Sequence, residues 1–397
     1  MGTSDGIEIR VPTDDDLATM VRLGALVFGD EWKPEEVDRI RPVVDLARFR
    51  VAVDRGRIVA VAGSYGFDMT LPGGATVPTG GVTWVVVLVT HRRRGILRRL
   101  LDAVHADVAE RDEPLVALYA SEGGIYERFG YGLASRQRKI EIDRRRARFR
   151  DPVAGGTVRV DVVPDAVPDV AERLVGELAP RWERFRVTRP GEISRPDDWW
   201  TRLLLERGNA VVHALHDDGH AAWKVAEDWS DGHPAHRLEL VELAAATPAA
   251  HAELWNAVLS VDLVGTVWSW AVPLDDPLPY LLDDPRIVRT REVNDALWLR
   301  VRDVPTCFDT RAYGTDDEIV VEADGVRWRI GAAGCRKVRS RPDLVGDGAA
   351  LSALLLGGTR PSDLVAGRRL TARGGDVLRR ADAMFVHAPQ PHCQTSF

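Results

Sequence analysis

The chain has 397 residues, 45% hydrophobic and 28% charged, a balance that excludes a disordered chain and predicts two or three domains at roughly 150 residues each. With 53 Lys and Arg against 60 Asp and Glu, the formal net charge is −7, which speaks against nucleic acid or an anionic membrane as partner and suits a cationic substrate. No stretch approaches the roughly 18 to 20 apolar residues of a membrane span, and the opening MGTSDGIEIR has no apolar leader core. The three cysteines, Cys307, Cys335 and Cys393, show no C-x-x-C spacing, so neither a disulfide framework nor a zinc ribbon is indicated, and a reducing, cytoplasmic setting is expected.

IEIRV (7–11) reads as a strand. Thr13, followed by Asp14, Asp15 and Asp16, reads as an N-cap with acids in the first turn of a helix running to about Val27. Strands follow at FRVAVD and RIVAVAGSYGFDMTLP, then VTWVVVLV, a helix from about Gly95 to Glu110, the strand PLVALYA and a last strand after Tyr131. This alternation predicts an α/β layer with a mixed sheet over residues 1–150. DRRRARFRDPVAGG (143–156) changes composition and carries Pro and Gly, which marks the boundary.

A second unit, 151–290, opens with TVRVDVV and helical segments through Trp200 and Leu205. It continues with strands at AVVHAL, HAAWKVAEDW and HRLELVELAAA, a helix at PAAHAELWNAVLSVDL and the strand TVWSWAV. The order echoes the first unit, but LELVELAAATPAAHAEL has neither arginine nor glycine at the matching turn, so a charged ligand is expected in the first unit and not the second. A third, α+β unit, 291–397, holds strands at ALWLRVRDV and EIVVEAD, helix-like ALSALLLGG and PSDLVAG, and a final helical stretch around DVLRRADAMF. Two prolines in HAPQPHCQTSF (387–397) prevent that helix from continuing, and the chain is expected to end as an extended tail.

The chemistry concentrates in VTWVVVLVTHRRRGILRRL (82–100). An apolar strand that feeds R-R-R-G-I-L and then a helix places free backbone N–H groups and the positive end of the helix dipole at one turn, where a phosphate is favoured. Gly95 lets the backbone approach a ligand, and the arginines add charge-assisted contacts; a solvated basic helix start is the competing reading of the same residues. R-x-x-G-x-(small or apolar) between strand and helix resembles the pyrophosphate loop of GNAT acyltransferases, which hold acetyl-CoA there.

The next strand leads into ASEGGIYERFGYG (120–132), where Gly123 and Gly124 are expected to permit tight backbone geometry beside a ligand. Tyr126 follows one short turn on. A tyrosine with an ordinary pKa near 10 stays protonated at neutral pH and can donate to a departing thiolate, whose pKa is roughly 8.5 by analogy with cysteine. Phe129 and Tyr131 read as core aromatics.

Together these two segments, on a chain ending in phenylalanine, resemble the Eis family (enhanced intracellular survival proteins) of actinobacterial N-acetyltransferases. The resemblance spans the chain and implies tandem GNAT folds, the second degenerate, followed by a domain similar to sterol carrier proteins. It implies that Val85, Val86 and Val87 pair their backbone with the pantetheine arm of acetyl-CoA. Arg93, Arg94, Gly95, Ile96, Leu97 and Arg98 would hold the pyrophosphate, and Ser121 and Glu122 would touch the cofactor from the next strand. Tyr126 becomes the proton donor to the CoA sulfur, and the free carboxylate of Phe397 the general base. Asp30 in VFGDEW would hold the ammonium group of a small-molecule amine, between Phe28 and Trp84; beside its flanking glycine, Asp30 reads equally as a helix-end turn residue. The resemblance also implies a homohexamer; from the spacing of the histidines and cysteines no metal is expected. Ser396, where an acidic residue would recruit polyamines, and the bulk of Trp84 both depart from the family pattern.

A general base made from an α-carboxyl group, whose ordinary pKa is about 3.3 to 3.7, must be desolvated or must steer the proton of the amine through water. Lysine side chains of peptides are the alternative acceptors, and a non-catalytic acyl-CoA-binding protein is the alternative of a different class. His213, His216 and His220 invite a metal reading, but strand alternation sends the first two to opposite faces. His392 beside Cys393 is too close in sequence to form a catalytic pair.

Overall fold

The computed structural model describes residues 6–153, 155–162, 168–207, 211–230 and 232–397. Met1–Asp5 of the opening segment, Ala154 of the expected boundary, Val163 of TVRVDVV and Ala210 of AVVHAL lie outside the described residues.

The first sheet begins with β1 (Ile7–Arg10), β2 (Phe49–Asp54), β3 (Arg57–Thr70), β4 (Thr76–Val87) and β5 (Leu115–Tyr119), neighbours in that order. Helices α1 (Leu17–Phe28) and α2 (Glu35–Ile40) lie between β1 and β2, and α3 (Ile96–Glu110) joins β4 to β5. The expected N-cap at Thr13 opens a single 3-10 turn, Asp14–Asp16, whose last carboxylate accepts the Thr13 N–H (2.8 Å) before α1 begins. Ile96, Leu100, Leu101, Val104 and Val108 bury one face of α3 against the sheet. Within this sheet only β4 and β5 run parallel among the described residues, which is why a helical crossover separates them.

After β6 (Gly132–Leu133), β7 (Arg136–Asp143) leaves this sheet for the second one. That sheet is completed by β8 (Arg159–Val162), β9 (Val212–His216), β10 (Gly219–Ala226), β13 (His236–Ala245), β14 (Val264–Pro273) and β15 (Val288–Asp295), in the order β15-β7-β14-β13-β10-β9-β8; β11 (Trp229–Ser230) and β12 (His233–Pro234) form a separate ribbon. Its helices are α4 (Pro168–Arg186), α5 (Asp197–Arg207), α6 (Pro248–Leu259) and the short α7 (Leu278–Leu281).

Conversely β16 (Leu297–Val301), expected in the third unit, inserts between β5 and β6 of the first sheet. The chain thus crosses between the sheets twice side by side, at Ala134–Ser135 and at Ala296, where Ala134 N–H donates to Leu297 O and Ala296 N–H to Ser135 O. Burial explains the exchange. Leu297 and Leu299 pack into one core and Trp298 into the core on the other face, so β16 needs a place covered on both sides. In β7, buried Ile140 and Ile142 alternate with partly exposed Lys139 and Glu141, the pattern of a strand with one wet face.

The third domain opens with α8 (Val304–Thr310). Its five-stranded sheet contains β17 (Glu318–Ala323), β18 (Val326–Gly331), β19 (Gly334–Lys337), β20 (Leu344–Gly346) and β21 (Leu370–Ala372), with α9 (Gly348–Ala353), α10 (Pro361–Ala366) and α11 (Val377–Phe385). After α11 the tail is extended and mostly buried, with only Ser396 exposed among Pro391–Phe397. Among the described residues no helix is long and apolar enough to cross a membrane.

Candidate active site

Strands β4 and β5 pair only from Thr79↔Leu115 to Gly81↔Ala117 and then part. On its other side β4 carries a bulge, with Gly63↔Thr83 and Val61↔Val86 leaving Trp84 and Val85 to match one residue of β3. Trp84 takes a left-handed φ of 50° there, a costly conformation for an aromatic residue. The bulge and the fork together turn the edge of Val85–Val87 toward an opening beside β5.

The N-terminus of α3 points into that opening. Its N-cap is Gly95, at φ 75°, with no side-chain hydrogen bond, and the first helical N–H to bond backwards is Arg99 to Gly95 O (3.2 Å). Arg93 before it is also left-handed, at φ 63°. No side chain caps the N–H groups of the first turn, the arrangement that suits an anion.

A cavity of about 670 Å³ fills this space, and Phe28, Val85, Val87, Arg93, Gly95, Ile96, Leu97, Arg98, Ser121, Glu122 and Tyr126 all line it. Two of the expected cofactor-binding residues lie outside the lining. Arg94 turns to Asp54 (3.6 Å), and the Val86 side chain is buried in the core on the other face. Among the glycines of the next loop, neither Gly123 nor Gly124 adopts a positive φ; a Cβ on Gly123 would meet Trp298 at 3.3 Å, and Gly124 faces open space. The left-handed glycine of that loop is Gly130, at φ 86°.

Tyr126 is 5% exposed. Burial, reinforced by the charge of Glu122, raises its phenol above the ordinary value, so it is a proton donor throughout the neutral range. Tyr131, 5.9 Å away ring to ring, is hydrogen-bonded to His105 Nε2 (2.8 Å), and burial lowers that histidine to about 3.

A second cavity, of about 430 Å³, shares Phe28 with the first and is lined by Asp30, Trp84, Glu31, Trp32 and Glu36. Asp30 is also a turn residue, its N–H donating to Ala25 O (2.9 Å) at the end of α1. Phe397 lines neither cavity; its ring packs 5.3 Å from both Phe67 and Tyr119, over Gly81 at the foot of the β4–β5 fork, where a Cβ would come within 2.9 Å of it. His213 and His216 fall on opposite faces of β9, as expected, and His220 of β10 shares the face of His213. His213 is buried in the second domain, while His216 on the opposite face pairs with Glu253 (3.3 Å).

Acetyltransferase (GNAT) domain models match residues 8–134 and 191–302, and a sterol carrier protein domain model matches 314–394. The chain is 35% identical to the N-acetyltransferase Eis of Mycobacterium tuberculosis over 97% of its own length and 98% of that protein. The chain belongs to the Eis family of N-acetyltransferases. An uncharacterised N-acetyltransferase of Streptomyces griseus is 32% identical, with 98% of this chain and all of that one covered. The crystal structure of Eis1 from Mycobacterium abscessus superimposes with a TM-score of 0.87 at 30% identity, covering 98% of this chain and 100% of that one. Like its Eis relatives, the chain is an N-acetyltransferase with two GNAT domains and a sterol-carrier-like domain, and GNAT acetyltransferases use acetyl-CoA.

Several lining residues escaped the sequence reading of this Eis-family chain. Phe129, assigned to the core, also lines the first cavity, with the Arg98 and Arg128 guanidinium groups 5.4 and 5.3 Å from its ring centroid. Glu127–Phe129 form a 3-10 turn, and a three-residue repeat of Glu122, Ile125 and Arg128 along EGGIYERF was the available signal. Glu31 adjoins Asp30 in VFGDEW, while Glu36 reaches the second cavity from α2, which packs beside α1.

Proposed function

We propose that the protein transfers an acetyl group directly from acetyl-CoA to an amine of an aminoglycoside or another polyamine. The carrying observation is the pair of cavities that meet at Phe28, one built of open backbone donors and arginines, the other acidic and aromatic. In the first, the N-terminal turn of α3 with Arg93 and Arg98 matches a pyrophosphate, and the bulged edge of β4 matches the amides of a pantetheine arm. In the second, Asp30 attracts the ammonium group while Phe28 and Trp84 cover its apolar carbons.

The neutral amine attacks the thioester carbonyl, the Phe397 carboxylate takes up the amine proton, and Tyr126 protonates the departing thiolate sulfur. Phe397 is anchored by its ring at the fork, and the raised phenol of Tyr126 keeps its proton until the sulfur needs it. Three buried cysteines without disulfides agree with a cytoplasmic enzyme. Exposed Trp229, Trp270 and Tyr280 on the second domain agree with assembly into a homo-oligomer, a hexamer by family likeness.

The test is Tyr126→Phe. Turnover is expected to fall by about 10² to 10⁴ while acetyl-CoA binding persists; unchanged turnover removes Tyr126 as the acid. Thiol release measured with an aminoglycoside panel against lysine peptides identifies the acceptor, and faster release with the peptides would replace the polyamine reading.

A further inference from the structure

The C-terminal segment passes through the second domain before it reaches the first. Strands β13 and β14 pair in parallel from His236↔Val264 to Glu239↔Trp268 and then diverge, as β4 and β5 do. This second fork takes up the chain's own tail. The Leu243 N–H of β13 donates to Gln394 Oε1 (3.0 Å), and the buried His392 ring lies beside the backbone of Ala271 on β14. Around it the tail backbone is tied at successive residues. His392 N–H donates to Pro190 O (2.9 Å), the Tyr119 hydroxyl to Cys393 O (2.9 Å), and Gln394 N–H to the buried Glu192 carboxylate (3.1 Å).

At the end of this run stands Arg195, whose side chain is fully buried. Its guanidinium carbon lies 3.4 Å from the Trp182 ring centroid and 4.7 Å from that of Trp200, and it pairs with Glu242 at 2.7 Å. Its Nε donates to Thr395 Oγ1 (2.7 Å). A buried ion pair adds little net stability over apolar packing, and a chain end frays unless it is tied. A cation this rigidly held that bonds the third residue from the terminus defines a place for that terminus.

We propose that the fork of the second domain is a docking site for the chain's own C-terminal segment and that Arg195, acting through Thr395, is a positioning residue for the Phe397 carboxylate. This rests on the reading of that carboxylate as the base. The second GNAT domain then has a task in the reaction without binding a cofactor of its own: it aims the base of the first.

The experiment compares Thr395→Val, which removes the acceptor of the Arg195 bond, with Thr395→Ser, which keeps it, and with a chain lengthened by one residue after Phe397. The expected result is about a tenfold to hundredfold fall in kcat for Thr395→Val with KM for acetyl-CoA unchanged. Thr395→Ser should restore most of the rate, and the lengthened chain should be inactive. Unaltered kcat in Thr395→Val, or a loss that serine does not restore, overturns the positioning role. Should Thr395→Val fail to fold, Gln394→Met, which deletes the acceptor of the Leu243 N–H, is read for the same split between kcat and KM. A lengthened chain with full activity rejects the base itself and this proposal with it; an inactive lengthened chain beside a fully active Thr395→Val rejects the positioning role alone.

Discussion

The two GNAT domains build the same strand, turn and helix twice, and differ where the helix begins. In the first, β4 leads through three arginines to Gly95, an N-cap with no side-chain hydrogen bond. In the second, β13 leads to Thr247, whose hydroxyl accepts the Ala250 N–H (3.2 Å), and Pro248 at the next position has no N–H to offer. One helix start is left uncapped by any side chain, and the other is capped by its own threonine. The forks differ in the same sense, one opening on a cavity and the other filled by the C-terminal tail. On the proposed reading, a few residues at one turn, and not the shared fold, decide which domain binds the cofactor.

The most disruptive way to break this contrast is to write the second turn into the first. Gly95→Thr with Ile96→Pro installs a self-capped helix start, and acetyl-CoA affinity is expected to drop by about 10²-fold, at 1.5–3 kcal/mol for each charge-assisted bond lost. Equilibrium binding checks it.

Acid separates the two helices more gently. His105 on α3 is held neutral by burial, at about 3 against an ordinary 6.5, so its contribution is fully present above pH 6.5 and is lost as pH falls toward 3. On α6, His251 bonds Asp276 (3.0 Å); burial pushes that carboxyl up, but the histidine's charge and hydrogen bond leave it below its ordinary 3.8, so its contribution persists until the pH drops below that value. Amide exchange between pH 6 and 4 should therefore rise in α3 before α6, and simultaneous loosening would contradict the assignment.

The smallest effect belongs to Thr247→Ala. It should cost about 1 kcal/mol of stability in denaturant unfolding and leave KM for acetyl-CoA unchanged, because that cap serves the fold alone.

What could be read from the sequence is what lies close together along it. The strand, arginine turn and helix of 82–110 are contiguous, so periodicity and N-terminal chemistry sufficed to place them, and EGGIYERFGYG lies one strand further on. The three arginines look alike in sequence, yet Arg94 turns to Asp54 while Arg93 lines the cavity, a division made by the local backbone twist. The left-handed Trp84 and Arg93 carried no warning, since neither is a glycine. The exchange of β7 and β16 was hidden for another reason: alternation shows that a segment is a strand but not which sheet receives it. The bonds from Arg195 to Thr395 and from Leu243 to Gln394 span sequence separations that no local pattern records.

The most direct measurement is a calorimetric titration of the full-length protein with acetyl-CoA. One site per chain, weakened by about 10²-fold in Gly95→Thr with Ile96→Pro and unaffected by Thr247→Ala, is the predicted result. Two sites per chain, or a single site whose affinity is unchanged by the altered first turn, would contradict the division of labour between the two domains.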